Sequence, residues 1–261
     1  MESQSIPVKG ARRRQATGII VFLVVLALGW QGAVDFFDIP EYLLPSPAAI
    51  GKSLWANYAI FFEHMLATVW EIVIGLAVGV TTGLLLAFFM SRSEAVANAL
   101  YVPILATQTT PTIAIAPILI IWFGVDLLPK VIVITIFSFF PILVNTLTGL
   151  QATGRQMLVL MDSVAASEWQ IYRYVRIPMA LPHVFAGLRL SAAAAVVGAV
   201  VVEWVSSTKG LGYLLILYQS RLNVDKAFAT LVILMALGVL VFTLTALLER
   251  RFSWTKRLGI D

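Results

Sequence analysis

Six charged side chains, Arg155, Asp162, Glu168, Arg173, Arg176 and Arg189, fall between Gln151 and Leu190, with long apolar runs on both sides. They form no grouped acid, base and nucleophile of the kind that hydrolysis or group transfer needs. The chemistry open to them is recognition of another protein. A connector between two membrane spans needs only a few turn residues, whereas this stretch has helical content and breaks at Pro178 and Pro182. It reads as the surface of a membrane subunit driven from outside itself.

Within it, Ser167-Glu168-Trp169-Gln170 fits a capping box, in which the serine oxygen accepts the third following amide and Gln170 reaches back. Glu168 then stands where the positive end of a helix favours a carboxylate. The pattern predicts one short helix over 156–164, ending at Ala165-Ala166, and a second that begins after Ser167 and stops before Pro178. Val164, Trp169, Tyr172 and Val175 are large for cytoplasmic positions. They either seat in a partner's groove or pack under their own bundle.

Other chemistries are excluded. The chain has no cysteine, so thiolate metal sites and cysteine nucleophiles are absent. The two histidines, His64 and His183, lack ligand spacing, and no metal site is expected. Gly51-Lys52-Ser53 matches the end of a phosphate-binding loop, but Ser46 stands where that loop needs its first glycine. No cofactor is expected on this chain, and any ATP is handled by another subunit. The net charge of +4 is no nucleic-acid signal in so apolar a sequence.

The elements that position the connector follow from composition. With 60% hydrophobic residues, 12% charged residues and a mean hydropathy of +0.92, the chain differs from soluble domains, which are about 25% charged. At 261 residues it is one membrane domain. A span needs about 20 apolar residues. Six segments qualify: 16–34, 68–90, 99–123, 131–150, 183–205 and 227–248. The first follows Arg12, Arg13 and Arg14, and it is expected to be an uncleaved helix. The fold class expected is an all-α polytopic membrane protein. It divides into a cytoplasmic tail over 1–15, one transmembrane domain over 16–250 with its coupling segment at 151–182, and a cytoplasmic tail over 251–261.

With both ends cytoplasmic, thirteen lysines and arginines fall inside and five (Lys52, Lys130, Lys209, Arg221 and Lys226) outside. This positive-inside bias puts the connector in the cytoplasm. The stretch Asp35 to Glu63 becomes an outer loop with a turn at Leu44-Pro45-Ser46-Pro47.

Gly75, Gly79 and Gly83 recur every fourth residue, a spacing that lets a second helix approach closely. The fifth span, rich in Ser191 to Ala195 and Gly198-Ala199, is expected at the bundle centre. Prolines 103, 111 and 117 invite bending of the third. Arg189 and Glu203 lie about 21 Å apart along one helix and cannot pair with each other. Arg189 is expected to reach the inner interface. Glu203 either borders a substrate path or reaches outer interface water, and Glu71 is read as an interfacial anchor. Uncharged polar residues in spans are costly unless they face a polar route or bond between helices. The pathway candidates are Gln108, Thr109, Thr112, Asn145, Thr148 and Glu203. Such a lining, with Trp122 and Trp204 nearby, suits a neutral aromatic solute better than a sulfonate.

Ala165-x9-Val175-x-Ile177-Pro178 resembles the cytoplasmic signature of bacterial ABC-importer permeases, although Val159-Leu160-Met161 and Ala165 replace its usual E-A-A and glycine. APILIIWFG at 116–124, FFPILVNTLTGL at 139–150, IPMALPHVFAGLRLS at 177–191, GAVVVEW at 198–204 and KGLGYLL at 209–215 extend the likeness. It covers about Leu43 to Arg251 and is specific to the sulfonate, taurine and nitrate branch. Within that branch it is nearest to permeases for thiamine-pyrimidine precursors and riboflavin. The resemblance implies a type I importer fold in a bacterial cytoplasmic (inner) membrane. It further implies a second permease chain, taken as identical, an ABC ATPase dimer carrying ATP and Mg, and an external solute-binding protein. The docking residues it implies are Asp162, Val164, Ala165, Ser167, Glu168, Trp169, Tyr172 and Arg173. ATP would close the ATPase dimer, drive the connectors together and turn the pathway outward. Alkanesulfonate, taurine or nitrate are the alternative solutes. An ion-coupled secondary transporter is the more distant reading; it would show paired broken helices in two similar halves, and no internal repeat is visible.

Overall fold

The computed structural model describes residues 8–252 and is helical throughout its ordered elements, with no strand among the described residues. Residues 1–7 of the expected N-terminal tail and 253–261 of the C-terminal one lie outside the described range. Five helices are long and apolar enough to cross a membrane, six if the bent pair 94–109 and 112–123 is counted as one span.

Helix α1 (Val8–Phe36) begins ahead of its apolar run. A short helix α2 (Pro47–Ala56) occupies what the sequence reading left as an outer loop. The Leu44–Pro47 stretch is in fact its start signal: Ser46 accepts the Ala49 amide at 3.2 Å, and Pro47 takes the first helical position. Gly51-Lys52-Ser53 lies inside α2, its amides committed to helix, and no phosphate loop exists there.

Helix α3 (Tyr58–Arg92) starts ten residues before its apolar run, because Glu63 and His64 find partners on the outer loop after the fifth span. Helix α4 (Glu94–Thr109) and α5 (Thr112–Phe123) meet at 96° across Thr110-Pro111. Proline removes an amide there. The hydroxyls of Thr107, Thr109 and Thr110 donate to carbonyls of Ile104 and Ala106, which serves backbone that lipid cannot. The stretch expected as one bent third span is therefore two helices with a break between them.

Helix α6 (Leu127–Gln151) is the centre of the bundle, flanked by α3 on one side and the fifth span on the other. The glycine ladder of α3 makes that contact. A Cβ at Gly75 would strike Ile134, one at Gly79 would strike Ser138, and one at Gly83 would strike Ile142 and the Phe139 carbonyl. On the opposite flank, Gly187 and Gly198 admit α6 residues Asn145 and Phe137. The Ser191 hydroxyl donates to the Ser138 carbonyl at 2.5 Å. Without water to expel, such close approach is what dispersion requires.

After α6 come α7 (Arg155–Ser163) and α8 (Glu168–Ile171). The chain does not stop before Pro178, as the sequence reading expected. It passes through a π-helical turn, Tyr172–Arg176, straight into α9 (Ile177–Ser206). The Ile177 amide bonds the Tyr172 carbonyl, five residues back, so the wider turn accommodates a proline at the start of α9. Helix α10 (Leu211–Ser220) is a short outer helix and α11 (Val224–Phe252) the last span. Arg189 pairs with Glu249 of α11 at 3.3 Å.

Candidate functional site

The connector forms as two capped pieces joined by a tight bend. Helix α7 ends when Ala165 adopts φ +50°, a left-handed conformation that disfavours side chains. The Ala166 amide bonds the Met161 carbonyl at 3.0 Å and the Ala165 amide bonds that of Asp162 at 2.9 Å, a Schellman closure whose turning position usually takes glycine. At this position the family signature has glycine, so its usual residue has a backbone reason. The next helix opens with the expected capping box: Ser167 Oγ accepts from the Gln170 amide at 3.3 Å, and Gln170 Oε1 accepts from the Ser167 amide at 2.7 Å.

The large residues that the sequence left between two readings divide between them. Val164 is 66% exposed and Trp169 53% exposed, on the surface with Asp162, Ser167, Glu168 and Arg173. Tyr172, grouped with them as a docking residue, is only 4% exposed and packs under its own bundle, as does Val175. The Tyr172 hydroxyl hydrogen-bonds Ser91 at 2.8 Å, and its ring meets Phe88 edge-on. Trp169 stacks on Tyr172 with centroids 6.5 Å apart and planes 4° apart. Tyr172 therefore supports Trp169 and offers no free face of its own. Helix α7 stands clear of the spans, with Met157, Val159 and Leu160 exposed on the same segment. Exposed apolar residues grouped on one short helix are the kind of patch that an interaction surface presents.

Between α7, α8 and the inner end of α3 lies a cleft of about 470 Å³. Ser91, Arg92, Leu158, Asp162, Glu168, Ile171, Tyr172 and Arg176 line it.

The pathway candidates fall on four different helices, α4, α5, α6 and α9. Gln108 and Thr109 are exposed beside the α4–α5 break, and Thr112 opens α5 beyond it. Asn145 Nδ2 donates to the Pro141 carbonyl and Thr148 Oγ1 to that of Val144, both at 2.8 Å. These are bonds within one helix, not between helices, and they leave Thr148 exposed.

Glu203 needs correction. It is 1% exposed, buried among its own helices and not on an open face. Its Oε1 accepts from Thr68 Oγ1 at 2.7 Å, and its Oε2 from the Gly212 amide at 2.5 Å. Thr68 Oγ1 in turn accepts the Leu211 amide at 2.8 Å. The first free amides of α10 are thus satisfied by two side chains from other helices. Gly210, at φ +119°, and Gly212 have no room for a Cβ beside that carboxylate. The Val-Glu-Trp and Lys-Gly-Leu-Gly motifs, separate in sequence, are two halves of one clasp. Glu71 is no interfacial anchor either: it is buried and pairs with buried Lys130 at 2.5 Å. Lys130 also donates to Ser207 at 2.7 Å, and Ser207 bonds the Lys209 carbonyl. His64 Nδ1 accepts the Gly210 amide at 3.0 Å. Sequence reasoning missed the Glu71–Lys130 pair, since 59 residues separate them. Two charges at the same depth in neighbouring spans are the only signal available. Among the described residues no cluster of histidine, aspartate and glutamate could hold a metal.

Comparison with known proteins follows the same lines. Residues 79–254 match the family model described as "binding-protein-dependent transport system inner membrane component". The chain is 37% identical over 248 residues to the formylaminopyrimidine transport permease protein ThiX of Halalkalibacterium halodurans, covering 94% of this chain and 99% of that one. It is 33% identical to the riboflavin transport system permease protein RibX of Chloroflexus aurantiacus, with 90% and 88% covered. It is 27% identical to the putative aliphatic sulfonates transport permease protein SsuC of Bacillus subtilis, with 95% and 91% covered. Among solved structures, an amino acid ABC transporter crystallised with histidines shares the fold at a TM-score of 0.65 and 18% identity, covering 77% of this chain and 97% of that one.

Proposed function

This chain belongs to the family of binding-protein-dependent transport inner membrane components, and from that premise we propose that it imports a planar nitrogen heterocycle of the aminopyrimidine class. It is a multi-pass inner-membrane permease subunit of an ABC importer for a small solute. The observation that carries the finer reading is the 37% identity to a formylaminopyrimidine permease across nearly the full length of both chains. Riboflavin is the second reading, favoured by the 33% identity to the riboflavin permease.

In this reading two identical chains enclose the pathway, with both termini cytoplasmic. An external binding protein delivers the solute, and ATP and Mg are bound by the partner ATPase. The docking surface is Asp162, Val164, Ser167, Glu168, Trp169 and Arg173, with Ala165 setting the bend and Tyr172 bracing Trp169. Gln108, Thr109, Thr112, Asn145 and Thr148 remain the proposed pathway residues; Glu203 holds the outer clasp. ATP shifts the inward and outward states only through different contacts in each, and the exposed α7–α8 surface is where such a difference can be applied.

The test is uptake into vesicles holding the chain with its ATPase and binding protein, using labelled formylaminopyrimidine, riboflavin and taurine in parallel. ATP-dependent uptake of the pyrimidine at least tenfold above the others is expected. Preference for riboflavin or taurine would replace the solute and keep the importer; uptake without ATP would remove both.

A further inference from the structure

We infer that the 470 Å³ cleft behind α7 receives a lip of the partner ATPase that carries one acidic side chain, held between Arg92 and Arg176. This rests on the reading that the connector docks an ATPase.

Three observations carry it. Helix α7 packs only weakly on the spans, which leaves the cleft on its flank open to a segment of the partner that docks on α7. The chemistry missing from that cleft is an anion. Arg176 lines the cleft, and its Nε is buried with no hydrogen-bond partner, so the guanidinium is not satisfied by its own chain at that atom. The Arg92 guanidinium lies over the rings of Phe88 and Tyr172, at 5.9 and 6.0 Å, and no ion pair to either arginine is formed among the described residues. Asp162 and Glu168 line the same cleft, yet neither closes on an arginine. These two exposed carboxylates at the mouth oppose a strongly acidic segment. The occupant is therefore a single carboxylate with neutral or basic neighbours. A guanidinium fork binds a carboxylate through paired N–H groups, which lysine cannot reproduce.

Because the chain lacks cysteine, one introduced thiol reports on the cleft cleanly. Leu158→Cys, on the cleft wall, is labelled with biotin-maleimide in the full chain in nanodiscs. Labelling is measured before and after adding the ATPase that co-purifies from native membranes. Protection of at least tenfold on adding ATPase is expected. In the second arm, Arg92 is changed to Lys, Gln and Glu, and ATPase retention should fall in that order, with Glu at least tenfold below Gln and the thermal midpoint of the free chain unchanged. ATPase that co-purifies while Leu158→Cys stays fully labelled overturns the inference and leaves the docking reading standing. Protection already present in the free chain also overturns it, pointing to α7 closing on its own bundle or, if delipidation abolishes it, to an anionic headgroup. Retention equal for Gln and Glu removes the acidic side chain from the proposal. If no ATPase follows the chain at all, the docking reading itself falls, and the inference with it.

Discussion

The two ends of the bundle handle charge in opposite ways. At the outer end Glu71, Lys130 and Glu203 are buried, and their hydrogen bonds run to Ser207, Thr68 and the start of α10, all within one chain. At the inner end Asp162, Glu168 and Arg173 are exposed on a connector that stands away from the spans. A buried charge must be matched where it stands, or the desolvation cost is not offset. An exposed charge carries no such penalty and stays available to a partner. One end is therefore a fixed clasp that closes on itself, while the α7–α8 end is an open surface, the one proposed here to meet the ATPase.

Four experiments break or sharpen this contrast. Lys130→Met strands Glu71 as a buried lone carboxylate, and a loss of about 3–5 kcal/mol is expected, read as a large drop in thermal midpoint in detergent. Adding Glu71→Leu to it should recover most of the loss; no recovery would mean that the pair is not the source of the effect. Next comes Gly83→Ala, whose new methyl meets Ile142 and the Phe139 carbonyl. Forced overpacking there should cost about 1–3 kcal/mol, measured in the same melt.

The inner end should answer differently. Glu168→Ala with Trp169→Ala is expected to cost no more than about 1–2 kcal/mol, from the lost stack on Tyr172 and the lost first-turn carboxylate. Co-purification of the ATPase should fall at least tenfold, so a stability loss without a binding loss would reverse the contrast. The smallest effect is a gain: Ala165→Gly relieves the left-handed backbone and should stabilise the bend by roughly 1 kcal/mol. Hydrogen exchange at the Ala166 amide would register it, and faster exchange in the variant would count against the closure described.

Much of this architecture was legible in the chain. Long apolar runs gave the crossings because hydrocarbon thickness fixes their length. The every-fourth-residue glycines announced a close helix contact, though not that α6 would fill it. Ser167-x-x-Gln170 gave the connector's restart, since a capping box needs only neighbours. Local patterns misled where distant groups intervened. Glu63 and His64 broke the apolar run ahead of residue 68, yet α3 continues through them because Lys209 and Gly210 answer them across 146 residues. Pro178 looked like a stop, and a π-turn carried the helix past it. Tyr172 looked like part of the docking face, and Ser91 and Phe88 draw it inward.

By itself the sequence determined the quantities that one segment can set alone: which stretches are long and apolar enough to cross a membrane, and where a polar connector interrupts them. Burial, periodicity and capping act over a few turns, so their signals sit in contiguous residues. Only the tertiary structure decided that Glu203 clasps Gly212, that Lys130 answers Glu71, and that Arg92 and Arg176 share a cleft. These depend on which helices become neighbours and at what depth. That choice is made by small residues and packing across the whole bundle, which no single stretch of chain contains.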